Sequence, residues 1–80
     1  MTLNGINDLL AFANLLRAAK VEYRLEHSRH DALTIQLFLI GAFIEIDFFD
    51  DHIEYTFFEG SESVLDDQER LFALIDNAKG

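Results

Sequence analysis

The chain contains no cysteine and no proline, and it has only six lysine and arginine residues against fifteen aspartate and glutamate residues. The absence of cysteine excludes disulfide bonds, thiolate metal sites and cysteine nucleophiles, and it fits a reducing compartment. The absence of proline, of repeats and of low-complexity sequence leaves no visible linker. Because 80 residues suffice for one domain at most, the sequence predicts a single domain over residues 1–80.

Long apolar segments are also missing. The longest apolar run covers residues 37–44, far short of the roughly 20 residues that a helix needs to span a bilayer. Residues 1–5 lack the basic stretch followed by an apolar stretch that marks a secretory signal. We therefore expect a cytoplasmic protein with no membrane segment.

Positive charge is scarce where negative charge is dense. The formal net charge is −9, and no lysine or arginine occurs between Arg29 and Arg70, an interval in which acidic residues recur throughout. A surface of one sign repels nucleic acid and anionic membranes, and it attracts basic partners. The alternative is that the acidic residues only keep a small, phenylalanine-rich protein soluble.

Helical periodicity occurs at both ends of the chain. Near the start, apolar residues recur at three- and four-residue steps, which predicts an amphipathic helix capped by Thr2 or Asn4. The apolar stripe of this helix consists of Ile6, Leu9, Leu10, Ala13 and Leu16, widened by Phe12. Near the end, Asp66 and Glu69 have capping-box spacing and predict the start of a second helix. Its apolar stripe consists of Leu71, Phe72, Leu74, Ile75 and Ala78.

Between the helices the hydrophobic period changes to two, the period of a β-strand. This alternation predicts four strands, over residues 21–27, 33–39, 43–49 and 53–58. We place a break near Gly41 because one strand through that position would be improbably long, and residues 60–63 are predicted to be a loop. The predicted fold class is α+β: a four-stranded antiparallel meander with the N- and C-terminal helices packed on one face, in two layers.

The alternation gives the second face of this sheet an unusual composition. The side chains predicted on it are Glu22, Arg24, Glu26, Thr34, Gln36, Phe38, Phe43, Glu45, Asp47, Phe49, Glu54, Thr56 and Phe58. Contiguous apolar patches usually mark contact sites, and aromatic residues ringed by charge are typical of interface hot spots. Two other interpretations remain: Phe38 and Phe43 fold over the nearby turn, or a helix covers part of this face.

Catalytic and metal-binding signals are weak. The sequence contains no GxSxG, P-loop, GxGxxG or HExxH motif, and we expect neither enzymatic activity nor a cofactor. Asp50, Asp51, His52 and Glu54 offer the oxygen and imidazole ligands that divalent cations take. A small metal-dependent enzyme using this turn is therefore kept as an alternative. The basic residues are too few to form a phosphate track, so nucleic-acid binding is not expected.

Several segments resemble a known group of proteins. They are residues 28–33 (SRHDAL), Gly41, residues 44–51 (IEIDFFDD) and residues 53–54 (IE). Together they look like short acidic bacterial proteins that include candidate immunity proteins of toxin systems. The resemblance implies a cytoplasmic inhibitor that neutralises a toxin by binding it. Many such toxins are basic nucleases, and an acidic inhibitor blocks a basic groove by charge complementarity and fast association.

The sequence therefore predicts a non-enzymatic acidic binding module, an inhibitor or immunity-type protein that neutralises a basic partner protein through one sheet face. The predicted contact residues are Phe38, Phe43, Glu45, Asp47, Phe49, Glu54, Thr56 and Phe58, with Asp50 and Asp51 at the rim. The second hypothesis is a small structural or regulatory homodimer whose sheet faces pair, with the acidic residues serving solubility.

Overall fold

A computed structural model describes residues 1–39, 42–58, 62–65 and 68–78, with side chains over 1–39, 42–58 and 68–76. The elements are a 3₁₀ turn Ile6–Asp8, α1 Leu9–Ala18, β1 Glu22–Arg29, β2 Ala32–Leu39, β3 Ala42–Phe48, β4 Ile53–Phe58, β5 Glu62–Leu65 and α2 Gln68–Ala78. The α+β order, with a helix at each end of an antiparallel meander, is confirmed.

The strands form one antiparallel sheet in the order β1-β2-β3-β4-β5. The predicted four-stranded meander is present, and β5 extends it beyond β4, with Tyr55 opposite Leu65 and Phe58 opposite Glu62. The predicted loop is therefore wrong at Glu62 and Ser63. Because β5 has only four residues, the segment is too short to display a clear period of two.

The strand boundaries follow the turn chemistry. As predicted, the long alternating segment is divided near Gly41, since β2 ends at Leu39 and β3 begins at Ala42. The strand β1 runs to Arg29, into the predicted turn, with an irregular register between Glu26 and Arg29. The Arg29 Nε donates a hydrogen bond of 3.1 Å to the Asp31 Oδ1 across the tight β1–β2 turn, and this bond lowers the pKa of Asp31.

Both helices pack against the same face of the sheet, called the inner face here. Its fully buried side chains are Ile35, Leu37, Ile44, Ile46, Phe48 and Tyr55. The buried residues Phe12 and Leu16 of α1 and Leu71 and Ile75 of α2 belong to the same cluster. The Phe12 ring centroid lies 5.8 Å from that of Phe48 and 6.0 Å from that of Phe72. The predicted two-layer arrangement is confirmed.

The helix α1 differs in detail from its prediction. Neither Thr2 nor Asn4 caps it, because a 3₁₀ turn precedes the helix and Asp8 occupies its N-cap position. The Asp8 carboxylate accepts a 2.8 Å hydrogen bond from the Asn4 backbone N–H. Leu10 was predicted in the apolar stripe but is 71% exposed. It precedes Phe12 by two residues, which is roughly half a helical turn.

The N-terminal segment is fixed to the rest of the molecule at two places. The Gln68 side chain of α2 accepts a hydrogen bond of 2.8 Å from the Leu3 N–H and donates one of 2.7 Å to the Leu3 carbonyl. The Ile6 N–H donates a 2.7 Å hydrogen bond to the Phe49 carbonyl. Asp66 lies outside the described residues, so the predicted capping box of α2 does too.

Candidate functional site: the outer sheet face

The sheet face opposite the helices, called the outer face here, carries a row of aromatic rings. The register places Phe38 of β2 opposite Phe43 of β3, and Phe43 opposite Phe58 of β4. The ring centroids are 5.3 Å apart for Phe38 and Phe43 and 5.4 Å apart for Phe43 and Phe58. The Arg24 guanidinium lies 5.8 Å from the centroid of the Phe38 ring. These three rings, called the phenyl row, form one contiguous apolar patch.

The phenyl row stays accessible. Phe38 is 38% exposed, while Phe43 and Phe58 are half-buried against their neighbours. The buried residues of the described helix segments cluster with the inner face instead. Phe38 and Phe43 do lie next to the β2–β3 connection, yet they contact each other across the strands and remain on the surface.

Acidic side chains fill the middle of the outer face. One cross-strand row contains Gln36, Glu45 and Thr56, and the next contains Thr34, Asp47 and Glu54. The buried Thr34 hydroxyl donates a 2.5 Å hydrogen bond to the Asp47 Oδ1. Among the described side chains, no lysine or arginine forms a salt bridge with Glu45 or Asp47. Their negative charge is therefore presented to solvent without an ion pair.

A separate cluster lies at the far end of the outer face, at the β3–β4 turn. The rings of Phe49 and His52 stack in parallel at 4.5 Å, and the Arg29 guanidinium lies 5.0 Å from the centroid of the Phe49 ring. The His52 Nδ1 is 2.8 Å from the Asp51 Oδ1, and its Nε2 is 3.1 Å from the Glu54 Oε2. This turn cluster is a network of contacts among its own side chains.

The structure places the predicted contact residues at both ends and in the middle of one face. Phe38, Phe43 and Phe58 come together, whereas Phe49 lies six residues beyond Phe43 along the chain, about 20 Å away in an extended strand. Asp50 and Asp51 are exposed in the turn. Sequence reasoning missed the aromatic contacts of Arg24 and Arg29, because the register that brings each arginine over a ring was not known.

Metal binding at the turn finds no support in the geometry. Within the part of the chain that the structure describes, no group of three or more histidine, aspartate or glutamate side chains is arranged to hold a metal ion. Both ring nitrogens of His52 lie within hydrogen-bond distance of carboxylates. Asp51, His52 and Glu54 are instead in contact with one another.

The turn cluster should make stability depend on pH. Hydrogen bonds to Asp51 and Glu54 raise the pKa of His52 above its ordinary value. Because the folded pKa exceeds the unfolded one, the protonated ring stabilises the fold fully below about pH 6.5, and this contribution is lost as pH rises through the raised pKa. We expect NMR titration to place the His52 midpoint above about 6.5, and Asp51→Asn to lower it. An unchanged midpoint in Asp51→Asn would contradict this account.

Comparisons with known proteins identify no relative: no family model, no curated protein and no solved structure matches the chain. The resemblance to candidate immunity proteins therefore stays a prediction. Among the described residues, no helix has the length and apolar character needed to cross a membrane. A function can be inferred from the side chains of the outer face, its adjacent aromatic rings and its carboxylates.

Proposed function

We propose that this protein is a non-enzymatic binding module, an inhibitor or immunity-type protein that neutralises a basic protein partner in the cytoplasm. The outer face is its binding surface. The observation that carries the proposal is the phenyl row beside Glu45 and Asp47, which form no ion pair with the described side chains, on the sheet face opposite the helices. The rings supply apolar anchors, and the acidic rows supply specificity and attraction.

The two kinds of side chain act at different stages of binding. The net charge of −9 attracts a basic surface at long range and raises the association rate, an effect that falls with ionic strength. Once the partner is in contact, burial of the phenyl row slows dissociation, since desolvated aromatic residues dominate interface energetics. Strands hold both groups at fixed positions, so little conformational entropy is lost on binding.

The charge balance of the outer face favours a basic partner over a second copy of the same face. On the outer face of β1 to β4 the bases are Arg24, over the Phe38 ring, and Arg29, over the Phe49 ring at the turn end, and Arg29 is already paired with Asp31. Face-to-face pairing would bring Glu45, Asp47 and Glu54 close to the same residues of the other copy, and like charges at an interface are unfavourable. A basic groove meets these carboxylates favourably, and if the partner is a nuclease, that groove is the one that holds phosphate.

Capture from cell lysate with matched variants tests this proposal. The wild-type protein, Phe38→Ser, Glu45→Lys and Glu69→Lys are immobilised, and proteins retained at low salt are identified. Glu45→Lys and Glu69→Lys change the net charge equally, but Glu69 is an exposed residue of α2 and not of the outer face. Circular dichroism first establishes that all variants are folded.

We expect a basic protein that is retained by the wild type and by Glu69→Lys and that elutes at high salt. Phe38→Ser and Glu45→Lys should each weaken its binding at least about tenfold, since an anchor residue contributes on the order of 2 kcal/mol. Failure of the wild type to retain any basic protein would contradict the proposal. So would a retained protein that binds the wild type and all three variants equally.

A further inference from the structure

The strand β1 is unusual because it is uncovered on several sides. It is the edge strand of the sheet and pairs only on one side, with β2. In the described ranges, no segment pairs with its other side. On its inner face, Tyr23 is 37% exposed and Leu25 is 51% exposed, whereas Leu37 and Ile35, which lie opposite them on β2, are fully buried. An open edge of this kind is a template for another strand.

The charges along β1 indicate which strand fits. On the outer side they alternate in sign, with Glu22, Arg24 and Glu26 at successive outer positions. We propose that β1 pairs with β1 of a second copy, antiparallel and about a two-fold axis at Leu25. In this register, each Arg24 lies opposite Glu26 of the other copy, and the two Leu25 side chains lie opposite each other. Cross-strand pairs of opposite charge and of apolar residues stabilise a sheet.

Other registers fit less well. An axis at Arg24 places the two arginines opposite each other and Glu22 opposite Glu26, which are like-charge pairs. An axis at Tyr23 also pairs Glu22 with Arg24, but it places the exposed Leu25 opposite Val21, which is buried and lies before β1. A shift by one residue would place inner-face residues opposite outer-face residues. An axis at Glu26 places the two Glu26 side chains opposite each other, which is a like-charge pair. Of these registers, the axis at Leu25 is the one that pairs opposite charges and also places the exposed Leu25 side chains opposite each other.

The irregular register within β1 leaves this arrangement intact. The irregularity lies between Glu26 and Arg29, so the two Arg24–Glu26 pairs and the Leu25 pair fall within the regular part of the strand. The two sheets then join edge to edge into one continuous sheet. Both outer faces point the same way and remain open, so this dimer does not depend on the proposed function. It uses the free edge of β1, with the outward-facing Arg24 and Glu26 at that edge.

The absence of cysteine from the chain allows a direct test by cross-linking. Residues directly opposite each other in antiparallel strands have Cα atoms about 4.5–5.5 Å apart, within the range of a disulfide. Leu25→Cys should therefore form a disulfide-linked dimer on oxidation. His27→Cys is the matched control, because His27 lies opposite Tyr23 and not opposite itself. A monomeric Leu25→Cys, or equal cross-linking of both variants, would overturn the proposal.

Charge exchange provides a second test that needs no cysteine. Sedimentation over a concentration series should show that the wild type forms a dimer. The dissociation constant of the dimer should be at least about tenfold larger for Arg24→Glu alone and for Glu26→Arg alone. A mixture of the two variants should form a heterodimer, because each remaining charge then meets an opposite one. A wild-type monomer at every concentration, or a dimer insensitive to both substitutions, would overturn β1 pairing. The latter result would point to pairing through the sheet faces.

Discussion

Replacing Phe12 with alanine is expected to lower the free energy of unfolding by about 3–5 kcal/mol. Phe12 is completely buried, and its ring joins the two helices to the sheet through Phe48 and Phe72. Removing the ring loses its transfer free energy and leaves a cavity between α1 and β3. A chain of 80 residues has a total stability of roughly 4–12 kcal/mol, so this one change removes much of it.

Urea unfolding followed by circular dichroism measures this effect. Leu10→Ala is the matched control because Leu10 belongs to the same helix but is 71% exposed. It should change stability by less than about 0.5 kcal/mol. Equal effects of the two substitutions would show that the helix buries a different face from the one described.

Replacing Gly5 with alanine is expected to cost about 3 kcal/mol or more. Gly5 has φ +147°, a conformation that residues with a Cβ rarely adopt. The added Cβ would lie 2.6 Å from the Asp50 carbonyl oxygen and 2.8 Å from that of Phe49, closer than atoms can pack. Both contacts are with backbone, so rotation of a side chain cannot relieve them.

The reason for this large effect is the way the N-terminal segment meets the β3–β4 turn. The Ile6 N–H bonds to the Phe49 carbonyl, and a shift of the segment away from Asp50 would break that bond. Thermal unfolding of Gly5→Ala and of the neighbouring Asn4→Ala provides the comparison, since Asn4 is exposed. A melting temperature for Gly5→Ala equal to that of Asn4→Ala would show that the segment does not dock on the turn as described.

The fold was predictable where the burial pattern has a clear period. Alternation placed Ile44 and Ile46 inside and Glu45 and Asp47 outside, and the structure confirms it. The reason is that only every second residue of a strand can face the helices. A strand in which one alternating set is apolar therefore has one possible orientation.

Other features depend on contacts between distant segments. The neighbouring sequence does not indicate that Leu9 is partly buried and Leu10 exposed. Which side of the helix is buried depends on where Phe12 contacts the sheet. Likewise, Phe49 has the parity of the outer face but stacks on His52, a neighbour created by the turn. The alternating pattern predicts that Phe38, Phe43 and Phe58 lie on the outer face. That their rings touch could be known only from the register between the strands.

The sheet has one buried face and one solvent-exposed face, and aromatic rings lie on both: Phe48 on the first and the phenyl row on the second. NMR spectra of the phenylalanine rings with a soluble paramagnetic agent measure this directly, because the agent broadens the signals of solvent-facing protons. We predict strong broadening for the Phe38 ring, weaker broadening for those of Phe43 and Phe58, and none for Phe12 and Phe48. Protection of the Phe38, Phe43 and Phe58 rings equal to that of Phe12 would contradict the account.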